Sequence, residues 1–244
     1  APAVPAAPAA PQEHPTLAAY HAGRNETSLS AGALVELSSF ARAAGLSLVL
    51  DANLGSYRSG GGGGGQGAWD PAAFLALLEG ARALGLGTLA VWELGNEPDM
   101  FQGRPERPRL GFAMTAPQLA SDFRAFRRAL RSSGQATALV AGPDIGVVHE
   151  QDELFGGFLG LFGARDEASP DAATWHFYYG PGAARRHPLA PSSFARPAVL
   201  DRFLRRATWA RAQASAWLAA PAAAGRPARQ LWVGDTSSTY GGGR

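Results

Sequence analysis

Two residue types are missing from this sequence, and charge is nearly balanced. Without cysteine, no disulfide and no thiolate metal or nucleophile site is possible. Without lysine, all 22 basic residues are arginine, and they oppose 20 acidic residues for a net charge of +2. Such a balance does not favour nucleic acid or an anionic membrane surface as a partner. No apolar run approaches the roughly 20 residues of a membrane span, so membrane association is left only to segments outside this sequence.

Alanine, glycine and proline are abundant instead, and they are unevenly distributed. Residues 1–30 form an Ala/Pro-rich lead-in that predicts irregular or disordered structure and has no features of a signal peptide. The six glycines of Gly60–Gly65 indicate a low-complexity insertion. The remainder, residues 31–244, is long enough for one sizeable core and is interpreted as one domain.

Short apolar runs alternate with helical patterns along this domain. The runs predict five strands, at 46–50, 89–93, 138–141, 173–179 and 231–233. Helices are expected from Asp70-Pro71 onward, over 119–130 behind a capping box at 115–118, over 154–162 and over 199–218. This alternation is typical of a parallel sheet, either an open doubly wound sheet or a closed (β/α)8 barrel.

Polar residues follow each predicted strand, and their positions favour the barrel. They are Asn53, then Asn96 and Glu97, then Asp144, then His176 and Tyr178, and finally Asp235. Barrel enzymes place reactive side chains at the carboxyl ends of their strands, whereas a dinucleotide-binding sheet needs a glycine fingerprint that is missing here. Because a barrel needs eight strands and five are found, we expect the α/β fold to be a TIM barrel present in part.

Glu97 and Asp235 together suggest hydrolysis of a glycosidic bond. Retaining hydrolysis needs two carboxyl groups about 5–5.5 Å apart, one as acid/base and one as nucleophile. Asn96 is suited to bind the sugar 2-OH, and His176 and Tyr178 alternate along one strand, so both can face inward. Structural roles stay open at this point: Glu97 as a turn residue, Asp235 as a cap, and His176 as a core histidine.

Four segments resemble, in order and spacing, the motifs of the heparanase-like glycoside hydrolase family 79. They are WELGNEP at 92–98, GPDIG at 142–146, TWHFYY at 174–179 and LWVGDTSSTYGGG at 231–243. The resemblance implies a retaining endo-β-glucuronidase that acts on heparan sulfate or a related glucuronide polysaccharide. It implies no cofactor or metal, a secreted, extracellular or lysosomal location, and early strands that a separate partner chain can supply.

By the same resemblance, Glu97 is the acid/base and Asp235 takes the nucleophile position. The substrate-binding residues implied are Asn96, His176, Tyr178, Tyr240, Gly241 and Gly242. The sequence departs from the family at Asp235, where the family has Glu, and at Phe177, where it has a second His. These departures leave two alternatives open: a carbohydrate-binding pseudoenzyme, and an inactive fragment of such an enzyme.

Overall fold

The computed structural model describes residues 30–55, 58, 67–86, 91–104, 107–108, 110–146, 153–181 and 190–240. The predicted lead-in, apart from Ser30, and the glycine insertion lie outside the described residues. Ser30 caps the first described helix, because its side-chain oxygen accepts a hydrogen bond from the Ala33 amide at 3.1 Å.

The centre of the fold is a parallel sheet of five strands in the order β1-β2-β5-β6-β7. The strands are β1 Val49–Ala52, β2 Val91–Leu94, β5 Leu139–Ala141, β6 Ala172–Pro181 and β7 Gln230–Tyr240; a small antiparallel pair, β3 Gly103–Arg104 and β4 Arg107–Pro108, lies apart. The order in the sheet follows the order in the chain. A doubly wound sheet reverses its order at a switch point, so this order is that of a partial (β/α)8 barrel, as predicted.

Helices connect the strands. They are α1 Ala31–Ala43, α2 Ala72–Ala83, α3 Ala116–Ser132, α4 Glu153–Gly160, α5 Pro197–Gln213 and α6 Ser215–Ala219, with short 3₁₀ turns at Pro98–Met100 and Pro191–Ala195. Consecutive helices contact one another along the outside of the sheet, from α1 through α4. None of the described helices is long and apolar enough to cross a membrane.

Several predicted boundaries need correction. The helix expected over 199–218 is two helices, because α5 ends at Gln213 and α6 begins at Ser215 after a break at Ala214. The last strand was predicted over three residues, but β7 continues to Tyr240. The sequence did not predict α1, which buries only Leu34 and Ala41 and so carries a weak apolar pattern.

Aromatic side chains fill the space between the sheet and the helices. Trp92 of β2 is fully buried and meets Phe74 of α2 edge-on, with ring centroids 5.0 Å apart. Phe123 of α3 packs against Phe158 of α4 in the same way at 4.8 Å. Trp175 of β6 is 1% exposed and packs in the same layer. These contacts fix the strands against the helices and leave the other face of the sheet open.

A buried ionic network ties the strands together at their amino ends. Asp171, just before β6, accepts hydrogen bonds from the Val140 amide at 2.8 Å, from Arg127 Nη2 at 2.5 Å and from Arg226 Nε at 2.8 Å. Burial opposes the charge of Asp171, but the bonds from Arg226 and Arg127 outweigh it and hold its pKa below the usual range. The network joins α3, β5, β6 and the segment before β7 at the end opposite to the polar residues.

Candidate active site

The open face of the sheet bounds a cavity of about 550 Å³. Its lining comes from all five strands or the turns after them: Val49, Asp51, Glu93, Asn96, Asp144, Thr174, His176, Trp232, Val233, Gly234 and Asp235. The interior of a complete barrel is filled by layers of side chains from alternate strands. The deeper part of this cavity therefore corresponds to barrel interior, and its upper part to the mouth where barrel enzymes bind substrate.

A bulge in β7 turns Asp235 toward the cavity. Trp175 pairs with Val233 and Phe177 pairs with Thr236, so two residues of β7, Gly234 and Asp235, lie opposite His176 alone. In a regular strand, Asp235 would take the face of Trp175, which packs against the helices. The extra residue moves it to the face of His176, so the bulge explains how Asp235 comes to line the cavity.

Tyr178 lies beside Asp235, one of the two carboxylates that the sequence singled out. Its hydroxyl forms a hydrogen bond with the exposed carboxylate of Asp235. Burial raises the pKa of Tyr178, and so do this bond and the negative charges of Asp235, Glu97 and Asp144. The hydroxyl therefore stays protonated and able to donate to Asp235.

Glu97 follows β2 in an unusual backbone conformation. Its φ of 51° and ψ of 54° are left-handed, and its amide donates to the Asp144 carbonyl at 3.0 Å. Its side chain is 19% exposed, and Oε1 lies 3.4 Å from His176 Nδ1. Gly146 lies close by, where an added Cβ would come within 2.6 Å of the Glu97 side chain. Only glycine leaves room for Glu97 here.

His176 lies between two carboxylates and is itself buried. Nε2 is 2.8 Å from Asp144 Oδ1, and Nδ1 faces Glu97. Burial disfavours the charged ring, but the hydrogen bonds to Asp144 and Glu97 outweigh it and raise the pKa of His176 to about 10. The ring is therefore an imidazolium at neutral pH.

Two further carboxyl groups lie deeper on the inner face. Asp51 of β1 and Glu93 of β2 are register partners. Burial is the main cause that raises the pKa of Glu93 to about 7, with added repulsion from Asp144, whereas Asp51 is exposed on the edge strand. Glu93 is half-buried and also bonds Thr174. These groups lie in the strands rather than after them.

Most of the residues predicted for the site lie together at the carboxyl end of the sheet. Asn96, His176 and Asp235 line the cavity, and Glu97 and Tyr178 contact members of the lining. Asn53 also follows its strand, but its carbonyl accepts the indole N–H of Trp69. The side chain of Tyr240, together with Gly241 and Gly242, lies outside the described residues.

The sequence did not predict two features of the site, the contact between Asp144 and His176 and the direction of the Phe177 side chain. Asp144 was noted as a polar residue after a strand, but its contact with His176 follows from the approach of β5 to β6. Phe177, where the family motif has a second His, faces the helices and packs against Phe203 at 5.2 Å. Among the described residues, no group of His, Asp and Glu forms a metal site.

Solved structures define the class of fold. The chain superposes on the GH39 enzyme from Xanthomonas axonopodis pv. citri with a TM-score of 0.52 and 17% identity, covering 87% of this chain and 40% of that one. It superposes equally well on a family 44 xyloglucanase from Paenibacillus polymyxa, with a TM-score of 0.52 and 9% identity over 85% and 54% of the two chains. The fold of this chain is thus a partial (β/α)8 barrel.

Sequence comparison identifies relatives of this chain more specifically than the fold does. Over 153 residues, or 62% of its length, the chain is 33% identical to heparanase from Bos taurus, 31% to that from Gallus gallus and 30% to that from Rattus norvegicus. The chain is heparanase-like over this stretch. The matched stretch spans 24% of the Bos taurus protein and 25% of the other two. No protein-family profile matches the chain.

Proposed function

We propose that the protein is a retaining glycoside hydrolase in which Glu97 is the acid/base and Asp235 the nucleophile. The observation that carries this proposal is the arrangement of the two carboxylates at one rim of the cavity. His176 contacts Glu97, and Tyr178, two residues further along β6, contacts Asp235. A single strand thus holds a partner for each carboxylate, and alternation turns both partners to the same face.

The two partners differ in charge, which matches the two roles. Tyr178 donates a neutral hydrogen bond to Asp235, which orients the carboxylate for attack on an anomeric carbon. The imidazolium of His176 offers Glu97 an N–H and a positive charge that stabilise the carboxylate formed once Glu97 has protonated the leaving oxygen. Asn96, which lines the cavity directly before Glu97, is placed to bind the sugar 2-OH.

The proposed substrate is a glucuronide-containing polysaccharide of the heparan sulfate type. The sequence relationship to heparanases supports this choice. Tyr240, Gly241 and Gly242 are the residues proposed to line the cleft for the sugar, by their match to the family motif. A secreted, extracellular or lysosomal location belongs to the same proposal, as does a partner chain that completes the barrel.

The test is turnover of an aryl glucuronide by the full-length protein and its Glu97→Gln variant. Loss of general acid/base catalysis should lower kcat/KM by about 10²–10⁴-fold. Azide should restore part of the rate, because a small nucleophile needs no base to release the glycosyl-enzyme intermediate. Glu153→Gln, an exposed change on α4, is the matched control and should leave the rate unchanged. Full activity of the Glu97→Gln protein would refute the role of Glu97.

One observation favours a second function, a carbohydrate-binding pseudoenzyme. Asp235 is one methylene shorter than the Glu of the family motif, which sets its carboxylate back from the position of the family's nucleophile. A protein of this kind would bind the glucuronide chain without turnover. Calorimetric titration with heparan sulfate oligosaccharides separates the two functions, because binding with no product release would support the pseudoenzyme.

A further inference from the structure

Asp144 is linked to Glu97, the proposed acid/base, in two ways. One link is a direct backbone hydrogen bond, and the other passes through the ring of His176. We propose that Asp144 is a positioning residue that keeps both ring nitrogens of His176 protonated and, through this ring and its own backbone, fixes the carboxyl group of Glu97 at the rim of the cavity. The inference rests on the proposed function, since it takes Glu97 to be the acid/base.

The first contact runs through the backbone. The Asp144 carbonyl accepts the Glu97 amide at 3.0 Å, and the Asp144 amide donates to Thr174 Oγ1 at 3.0 Å. Both Glu97 and Asp144 are left-handed, with φ of 51° and 55°. Asp tolerates this region, whereas for a residue such as Glu it persists only where the surroundings hold it. The turn after β5 therefore holds the turn that carries Glu97.

The second contact runs through His176. A neutral imidazole has one N–H and one bare nitrogen, which repels a facing carboxylate oxygen. Here a carboxylate oxygen faces each nitrogen, Asp144 at 2.8 Å and Glu97 at 3.4 Å. This geometry fits a doubly protonated ring that donates to both. The shorter contact and the deeper burial belong to Asp144, which is 9% exposed against 19% for Glu97.

Glycine at position 234, in the bulge of β7, makes room for this contact. Gly234, one of the two residues opposite His176, lies so close that an added Cβ would stand 2.9 Å from Asp144 Oδ1. Any side chain at this position would crowd the Asp144 carboxylate. Glycine at this point of the bulge therefore leaves space for Asp144 to reach His176.

The other groups around His176 are all acids or neutral. Asp51 on β1 and Glu93 on β2 lie deeper on the inner face and couple electrostatically to the ring. Tyr178 and Asp235 lie above it on β6 and β7. Within the described lining of the cavity, His176 is the one basic side chain. No neighbouring cation on the described elements opposes its protonation, and Asp144 is its nearest counter-charge.

The test reads the protonation of His176 by ¹⁵N NMR of its ring in the full-length protein, with the signal assigned through His176→Gln. In the native protein both nitrogens should remain protonated at pH 8, where an ordinary histidine is almost wholly neutral. Asp144→Asn keeps the shape and one acceptor but removes the charge, and should lower the titration midpoint by at least about one pH unit. Asp166→Asn, at a surface ion pair, is the matched control.

A second measurement separates positioning from simple support of the fold. In Asp144→Asn, the pH profile of kcat on an aryl glucuronide should move while KM stays within about threefold; Asp166→Asn should change neither. A native His176 that titrates near 6.5 would overturn the inference, whether or not the variant folds. An inactive Glu97→Gln protein with such an ordinary His176 would keep the proposed function and remove the role of Asp144.

Discussion

At the scale of single residues, Asp235 decides between the proposed enzyme and a binding protein. The side chain is exposed at the rim and bonded to Tyr178. A retaining nucleophile must stand about 3–3.5 Å from the anomeric carbon, and a misplacement of about 1 Å can cost 10²-fold in rate. The bulge at Gly234 and Asp235 also shifts the backbone. The distance from the Asp235 carboxylate to the sugar therefore depends on the backbone position as well as on the length of the side chain.

We expect Asp235→Glu to raise kcat/KM on an aryl glucuronide at least about tenfold, roughly 1.4 kcal/mol of barrier. The physical reason is that the added methylene brings the carboxylate toward the sugar while Tyr178 still donates to it. The measurement is kinetics on the full-length protein, with the anomer released followed by NMR. Equal rates for Asp and Glu, both with retention, would show that the bulge already compensates for the shorter side chain.

The sequence could predict which residues belong to this site better than it could predict the contacts between them. Glu97, His176 and Asp235 each follow or end an apolar strand, and that pattern predicts a common rim. Asp144 was visible as a polar residue after a strand, but its carboxylate meets His176 only because β5 and β6 are neighbours. The inward turn of Asp235 could not be predicted, because regular alternation from Trp232 would point it outward.

At the scale of elements, the sequence predicted which strands are present better than it predicted where they end. Five strands and their order of alternation with helices were correct, because short apolar runs and capping signals such as Thr115 are local. The ends were less accurate. The polar residues Ser237 and Ser238 carry no apolar pattern, yet β7 continues through them, because β6 pairs with it as far as Tyr240. Pairing between distant segments extends this strand.

The amino ends of the strands depend on Asp171. We expect Asp171→Asn to lower the free energy of unfolding by about 3–5 kcal/mol, because it leaves Arg127 charged and 5% exposed without a counter-ion. The measurement is urea unfolding of the full-length protein at pH 7. Asp166→Asn, which breaks a half-exposed pair with Arg124, should cost at most about 1 kcal/mol.

The same network determines how the folding stability changes with pH. Because the folded pKa of Asp171 is depressed, its stabilising contribution is complete above the unfolded value of about 3.9 and is lost as pH falls through the folded value. The native protein should therefore lose stability in acid more steeply than the Asp171→Asn variant. Parallel losses in the two proteins would show that Asp171 carries no such charge-dependent stability.

At the scale of the whole molecule, the open sheet is the dominant feature. Among the described residues, β1 pairs only with β2 and β7 only with β6, so both strands have an outer edge with unpaired backbone groups. Large apolar side chains are exposed in the segment that leads into β1, with Phe40 of α1 at 63% and Leu46 at 58%. Leu204 on α5 is 65% exposed. Such edges and apolar surface favour association with other chains.

We therefore expect the 244-residue chain, prepared alone, to associate at micromolar concentration and to unfold without a sharp transition. Phe40→Lys removes exposed apolar surface from α1 and should reduce this association. Leu161→Lys, at a position 41% exposed beyond the end of α4, is the matched control and should leave it nearly unchanged. Light scattering over a concentration series, with calorimetry, makes the comparison. A monomeric native chain with a reversible, sharp thermal transition would contradict the prediction and show that this sheet is stable with both edges open.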